Sequence, residues 1–257
     1  MVERFSVLSG AEAFFLKGNE IGILISHGFG GTPQSVRFLG EYISSHGYTV
    51  YAPRLKGHGT HYTDMDNCSY HDWIETLEDG FRFLRNHCEI IYIIGQSMGG
   101  TLTINLAHKF PEIKGIVLIN AAMTTIPIME QLIEKREHRY IDEGSPDIKD
   151  KRVYEITYTK TPLDSIHQLL VLMKETCGKI KEVTCPTLAF QSVEDHVVPP
   201  ENTDYIITHL RSDIKRVIPL YNSYHVASMD FEKRFIAEQC CLFFEELSSK
   251  ENKKRVF

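Results

Sequence analysis

Short, mainly apolar runs alternate along this chain with longer stretches in which apolar residues recur every three or four positions. Each run is too short for a helix and rich in β-branched residues, which is typical of strands buried on both faces of a sheet. The runs lie at 21–25, 49–52, 89–95, 114–120, 186–191 and 215–220. No hairpin turn joins two neighbouring runs. The alternation therefore predicts an α/β fold in which helices flank a mostly parallel central sheet.

Capping signals mark the beginnings of two predicted helices. Thr32 followed by Pro33 predicts a helix that continues to about residue 45. Ser69 with Asp72 three positions later has the pattern of a capping box, and the helix that follows is predicted to end near residue 87. Further helices are predicted from residue 97 to about 109, over 202–210 and over 230–247.

One connection between predicted strands is much longer than the others. From about residue 123 to 177 no strand pattern appears, and the segment IMEQLIEKREHRYI at 128–141 is charged and amphipathic. A second helix is predicted there with Thr161 as its N-cap, Pro162 next and Asp164 three positions on. We therefore predict a single domain, residues 1–257, with a helical and loop cap insertion at about 123–177. By analogy with other α/β enzymes the insertion is expected to cover a pocket, and an ordinary packed crossover is the alternative.

Composition narrows the possible partners and location. The formal net charge of −6 argues against nucleic acid, which binds clusters of Lys and Arg. The N-terminus lacks the pattern of a secretory signal and no run reaches membrane-spanning length, so a cytoplasmic location is expected. The six cysteines form no C-x-x-C pair and are expected to be reduced thiols.

The pentapeptide Gly95-Gln96-Ser97-Met98-Gly99 lies between a predicted strand and a predicted helix. In that position the G-x-S-x-G pattern is typical of a nucleophile elbow, a strained turn that exposes a serine hydroxyl at the edge of a sheet. The flanking glycines avoid Cβ contacts with the neighbouring strand and helix. An ordinary helix N-cap is the alternative interpretation of Ser97, but the order of strand, turn and helix favours the nucleophile.

A serine nucleophile requires a histidine base that a carboxylate orients. Asp195 follows one predicted strand, and His225 follows the last one. Because the chain order in α/β-hydrolases is serine, acid, histidine, these positions favour Ser97, Asp195 and His225 as a catalytic triad. Glu194 as the acid and His196 as the base remain alternatives from the sequence alone.

Two backbone N–H groups are needed to stabilise the oxyanion of such a reaction. One candidate is the N–H of Met98, which follows the serine. The glycine-rich HGFGG at 27–31 follows the first predicted strand, where the second donor belongs in this fold, and we assign that role to the N–H of Phe29. The loop lacks the G-x-G-x-x-G pattern and the Walker lysine of phosphate-binding loops. No His and Cys cluster has metal-ligand spacing either, so no cofactor and no metal are expected.

The chain resembles the Bacillus-type monoacylglycerol lipases, a bacterial family of the α/β-hydrolase superfamily. The segments that carry the resemblance are HGFGGTP, PRLKGHGTHYTDM, HDW, GQSMGGTLT, EDHVVPP and NSYHVA. The similarity extends from VLSGAE at 7–12 to the final helix, and PRLKGHGTHY with EDHVVPP and NSYHVA is its most specific part. Two features depart from the family pattern: Gln96 stands where a leucine is more familiar, and the cap segment DEGSP at 142–146 is acidic.

The resemblance implies a serine hydrolase that cleaves monoacylglycerols to glycerol and free fatty acid through an acyl-enzyme intermediate, without a cofactor. It implies the triad and oxyanion donors given above, and it places glycerol-binding residues at Asn120 and Glu155. Each of these also has an ordinary interpretation, a strand-end turn for Asn120 and a solvated side chain for Glu155. The alternative activity is that of a general carboxylesterase or thioesterase on short or medium acyl groups. A non-catalytic ligand receptor is a third reading, which the filled triad positions do not favour.

An acyl chain requires an apolar channel, and the cap carries apolar residues at helical spacing that could line it. Ordinary core packing is the alternative, and it is the commoner role of such a pattern. These residues are Ile126, Ile128, Met129, Ile166, Leu169, Leu170 and Met173. The expected partner is thus a small lipid ester, with transient membrane or micelle contact through the cap. The sequence does not indicate an oligomeric state.

Overall fold

Seven strands form one central sheet in the computed structural model, which describes residues 3–255 and side chains up to residue 249. In chain order they are β1 (Phe14–Leu16), β2 (Ile21–Ser26), β3 (Thr49–Ala52), β4 (Ile90–Gln96), β5 (Gly115–Ile119), β8 (Thr187–Ser192) and β9 (Lys215–Leu220). Their order across the sheet is β1-β3-β2-β4-β5-β8-β9. The numbers β6 and β7 belong to the cap, described below.

Every neighbouring pair of strands in this sheet is parallel except the pair at one edge, where β1 runs antiparallel to β3. The predicted mostly parallel sheet is confirmed. The sequence pattern did not predict β1, because a strand of three residues leaves no periodic signal and depends on pairing with a strand more than thirty residues away.

Helices cover both faces of the sheet, as predicted. They are α1 (Arg37–Ser45), α2 (Tyr62–Asp66), α3 (Tyr70–Arg85), α4 (Met98–Lys109), α5 (Pro127–Lys135), α6 (Leu163–Cys177), α7 (Glu201–His209) and α8 (Lys233–Arg255). Two large apolar clusters form the core, one on each face, and alternate residues of β4 illustrate the division. Ile91 and Ile93 belong to the cluster that includes α3 and α4, whereas Tyr92 and Ile94 belong to the cluster that includes α1 and α8. Strands with two buried faces explain the unbroken apolar runs.

Of the two predicted helix N-termini, one has its predicted capping hydrogen bonds and the other does not. The capping box of α3 is present, and the Ser69 N–H donates to Asp72 Oδ2 at 2.8 Å. At the other start, a short 3-10 helix over Pro33–Val36 precedes α1, and the Thr32 side chain makes no capping hydrogen bond. Thr32 is nevertheless the N-cap residue by position.

The cap lies in the connection between β5 and β8, and it contains two strands that the sequence pattern did not indicate. β6 (Tyr140–Asp142) and β7 (Lys160–Pro162) pair antiparallel. The expectation that this segment has no strand is therefore wrong, and so is the assignment of Thr161 as N-cap. Thr161 is part of β7 and its hydroxyl donates to Glu143, while α6 begins directly after Pro162. In the part of the chain that the structure describes, no helix is both long and apolar enough to cross a bilayer.

Candidate active site

Ser97 occupies a sharp turn between the end of β4 and the beginning of α4, with φ of 55° and ψ of −122°. A positive φ is unfavourable for a residue with a side chain, so the surrounding structure must enforce it. The elbow glycines permit the required contacts. A Cβ on Gly95 would lie 2.1 Å from the carbonyl oxygen of Gly99, and a Cβ on Gly99 would lie 2.4 Å from that of Ser26. The turn is therefore compatible only with glycine at these two positions.

The side chains of Ser97, His225 and Asp195 form one hydrogen-bonded line, as the sequence predicts. The Ser97 hydroxyl lies 2.9 Å from His225 Nε2, and His225 Nδ1 lies 2.8 Å from Asp195 Oδ2. Both contacts are within hydrogen-bonding range. The acid is itself fixed, because its Oδ1 accepts the backbone N–H groups of Val197 at 2.9 Å and Val198 at 2.8 Å.

The alternative acid and base lie elsewhere. Glu194 is exposed and forms an ion pair with Lys149 at 2.8 Å. His196 has 58% of its side chain exposed, and its Nδ1 lies 2.9 Å from Asp147 Oδ1. The structure thus brings Asp195 and His225, and neither rival, into line with the serine.

The electrostatic surroundings of His225 favour its protonated form. Burial lowers the pKa of His225, but the charge of Asp195 and the hydrogen bond to it raise that pKa more, with further contributions from Asp147 and Glu155. The net result is a pKa above the usual 6.5. These surroundings would stabilise the imidazolium that the predicted role of His225 as base requires.

The loop at 27–31 lies beside the nucleophile. His27 orients it, because Nδ1–H donates to the Gly28 carbonyl at 2.9 Å and Nε2 accepts the Leu55 N–H at 3.1 Å. A Cβ on Gly28 would lie 3.1 Å from the Cβ of Ser97, so the glycine permits close approach. Within residues 3–249, neither the Phe29 nor the Met98 N–H donates to a protein acceptor. Both remain free to donate to a ligand, as their predicted role requires.

A cavity of about 240 Å³ opens next to Ser97 and His225, beneath the cap. Most of its lining is apolar. Those residues are Phe29, Ile126, Ile128, Met129, Leu132, Ile141, Pro146, Ile166, Leu169, Val197 and Val226. Five of the seven predicted channel residues are among them. The other two, Leu170 and Met173, pack against the core instead, so their assignment to the channel is wrong.

Polar groups contribute the rest of the cavity lining. They include three carboxylates, Glu143, Asp147 and Glu155, together with Thr157 and Thr161. Sequence reasoning did not assign Glu143 or Asp147 to the site. The acidic composition of 142–146 was the signal available for Glu143, but no motif indicated that its side chain lines the cavity.

Glu155 lies in the cavity wall as predicted, whereas Asn120 is not part of the lining. The Asn120 amide donates to the carbonyl of His225 at 2.8 Å and to Ser192 Oγ at 2.9 Å, and its oxygen accepts the Ser192 N–H at 2.8 Å. With its polar atoms used in this way, Asn120 connects β8 to the histidine loop. The structure gives it a supporting position rather than the predicted place in the wall of the cavity.

Gln96, one of the two departures from the family pattern, has a similar structural use. Its side-chain oxygen accepts the N–H of Ser228 at 3.1 Å. The elbow is thereby joined to the loop that carries His225.

Burial raises the pKa of Glu155 to about 7, and Glu143 contributes to the increase, whereas His225 opposes it. Gly31 leaves room for this carboxyl, because a Cβ there would lie 2.9 Å from Glu155 Oε1. Near neutral pH the side chain is therefore divided between a neutral donor form and a charged form.

Substitution of Glu155 by glutamine is expected to stabilise the protein in a pH-dependent way. A carboxyl whose pKa is raised on folding binds more protons in the folded state, so the free energy of unfolding of the parent falls as pH rises from 4.5 towards 7. The glutamine variant has no carboxyl at this position, so its free energy of unfolding does not fall for this reason. The difference in free energy of unfolding between variant and parent should grow by on the order of 3 kcal/mol over that interval and stay constant above it. Denaturant unfolding at several pH values measures it, with Glu137→Gln as the matched change of an exposed cap glutamate. A pH-independent difference would contradict the expectation.

Within the residues whose side chains are described, no group of three or more His, Cys, Asp and Glu has an arrangement that could hold a metal ion. All six cysteines are free thiols.

Comparisons with known proteins give a consistent result. A family model described as "Serine aminopeptidase, S33" matches residues 19–232. The chain is 46% identical over 245 residues to the thermostable monoacylglycerol lipase of Bacillus sp. (strain H-257), with 95% of this chain and 98% of that protein covered. It is 29% identical over 239 residues to a carboxylesterase of Bacillus subtilis (strain 168), with 91% and 96% covered.

A solved structure agrees with these sequence relatives. It comes from work on LipS and LipT, two metagenome-derived lipolytic enzymes, and superimposes with a TM-score of 0.90 at 39% identity, covering 94% of this chain and 100% of that one. The fold and the resemblance predicted from the sequence motifs are both confirmed.

Proposed function

Since this chain belongs to the serine hydrolase family whose model is described as Serine aminopeptidase, S33, we propose that it hydrolyses the ester bond of monoacylglycerols and releases glycerol and a free fatty acid. The observation that carries this proposal is the line of Ser97, His225 and Asp195 at the wall of a largely apolar cavity that also contains buried polar groups. An ester with an apolar chain and a small polar head matches such a cavity.

The reaction proposed is acyl transfer through the serine. Ser97 Oγ attacks the ester carbonyl while His225 Nε2 takes its proton, and Asp195 keeps the imidazole in the required tautomer. The N–H groups of Phe29 and Met98 stabilise the oxyanion. The imidazolium then gives its proton to the departing glycerol oxygen, and a water molecule repeats the sequence to release the fatty acid from the serine.

The charges of the cavity favour a neutral substrate. None of the lining residues that the structure describes is Lys or Arg, whereas three are carboxylates. A thioester of coenzyme A carries phosphates that such a lining would repel, so the thioesterase alternative has less support. Glu155 and Glu143 offer hydrogen-bond acceptors for glycerol hydroxyls. The relative named a monoacylglycerol lipase supports the same substrate.

A general carboxylesterase is the second candidate, because another relative is named a carboxylesterase. The test is the release of product from a 1-monoacylglycerol, the matching diacylglycerol and the methyl ester of the same fatty acid, each with Ser97→Ala as the blank. Preference for the monoacylglycerol supports the proposal, whereas equal cleavage of all three indicates a general esterase. Leucine 4-nitroanilide should be added because the family description names a peptidase, and preferential cleavage of this amide would reject both candidates.

The proposal includes a cytoplasmic location and transient contact of the cap with a lipid surface. Six unpaired thiols suit a reducing compartment. Ile128, on a cap helix and in the cavity lining, has 61% of its surface exposed, which would permit contact with a micelle or membrane that supplies the substrate.

A further inference from the structure

A carboxylate of the cap contacts the loops that carry both partners of Ser97. Asp147 Oδ2 accepts the backbone N–H of His225 at 3.1 Å, and it also accepts the N–H of His196, the residue after Asp195, at 3.2 Å. The other oxygen, Oδ1, lies 2.9 Å from His196 Nδ1. One carboxylate thus connects the acid loop to the histidine loop.

The backbone next to Asp147 strengthens the connection between the cap and the histidine loop. The carbonyl of Asp147 accepts the N–H of Val226 at 3.1 Å. Asp230, which is fully buried, accepts the N–H groups of Lys149 at 2.7 Å and Asp150 at 3.0 Å. The Asp147 side chain is 16% exposed and lines the cavity. The cap segment 147–150 is therefore an integral part of the site.

We propose that Asp147 is a positioning residue for the Asp195–His225 pair, through which the placement of the cap determines the geometry of that pair. The inference rests on the proposed function only in taking Ser97, Asp195 and His225 as the catalytic triad. A displacement of about 1 Å in such a group lowers a rate by on the order of 10²-fold.

Asp147 also contributes charge to the site. Three carboxylates act electrostatically on the His225 imidazole: Asp195, which lies within hydrogen-bonding distance of Nδ1, and Asp147 and Glu155 from the cap. His196 faces Asp147 in turn. Loss of the charge on Asp147 removes one of the interactions that favour the imidazolium. A purely structural role would not produce this effect.

The test is Asp147→Asn, which keeps the size of the side chain and removes its charge. We expect kcat for a 4-nitrophenyl ester to fall by about 10-fold to 10²-fold, with much less change in KM. The acidic limb of the pH profile of kcat/KM should move to lower pH, because the histidine loses its proton more readily. The rate at which a fluorophosphonate labels Ser97 should fall in parallel.

Two further variants make the outcome decisive. Asp142→Asn, at an exposed cap carboxylate on β6, should leave both kcat and the acidic limb unchanged. Asp147→Glu restores the charge and should return the acidic limb of the pH profile towards that of the parent. The proposal is overturned if folded Asp147→Asn keeps the kcat and the acidic limb of the parent. It is also overturned if the variant loses activity only in step with a lower unfolding temperature while the acidic limb of its pH profile does not move. Failure of the proposed function is seen separately, as a parent enzyme that reacts with fluorophosphonate but does not cleave monoacylglycerol.

Discussion

Replacement of Ser97 by alanine is expected to lower kcat for ester hydrolysis by on the order of 10⁶-fold while the protein stays folded. The hydroxyl is the proposed attacking group, and no other side chain occupies its position 2.9 Å from His225 Nε2 in the described structure. The change removes one oxygen from a residue at the cavity wall and keeps its Cβ, so packing is conserved. We expect the unfolding temperature to change by no more than about 2 °C.

Kinetics of the purified variant and labelling by a fluorophosphonate provide the measurement. Ser45→Ala, at an exposed position at the end of α1, is the matched control and should retain full activity and labelling. A Ser97→Ala protein that is folded and keeps more than a small fraction of the parent activity would remove Ser97 from the role of nucleophile.

Replacement of Gly95 by alanine is expected to lower the free energy of unfolding by about 3 kcal/mol or more. The added Cβ would lie 2.1 Å from the Gly99 carbonyl oxygen and 2.4 Å from Thr103 Oγ1. The closer of these atoms belongs to the backbone of α4, so it can move only if the helix moves away from β4. A decrease of about 10 °C in the unfolding temperature corresponds to such a loss in a chain of this size.

Gly144→Ala is the matched control for this comparison. A Cβ at Gly144 meets no atom within 4 Å, and the residue has no positive φ, so we expect its stability to stay within about 0.5 kcal/mol of the parent. Thermal unfolding of both variants decides the point. Equal stability of Gly95→Ala and Gly144→Ala would show that the elbow adapts to a side chain, contrary to its geometry.

Sequence patterns predicted the elements whose character is local. The apolar runs indicated β2, β3, β4, β5 and β8 because both faces of these strands are buried, and the Ser69 capping box indicated the beginning of α3. The edge strand β9 was also predicted, although most of its residues are exposed. The positions of Ser97, Asp195 and His225 followed from the order of strands, because parallel strands bring their carboxyl ends to one edge of the sheet.

The features that the sequence did not predict depend on distant contacts. Thr161 has the pattern of an N-cap, but pairing of β7 with β6 placed it in a strand, where its hydroxyl meets Glu143. Asn120 supports the loop of His225, which is 105 positions away in the chain. Asp147 finds its partners 49 and 78 positions away. No local pattern contains information about such pairs.

The helix α5 has no buried residue, unlike the other cap helix, α6. Its apolar residues Ile128, Met129 and Leu132 instead line the cavity. An acyl chain in that cavity would add apolar contacts to the one that Met129 already makes with the core, and thus serve as part of the hydrophobic core of the cap. Substrate binding and ordering of this helix are then thermodynamically linked, so a long-chain ligand stabilises the folded cap increasingly as its concentration rises above its dissociation constant.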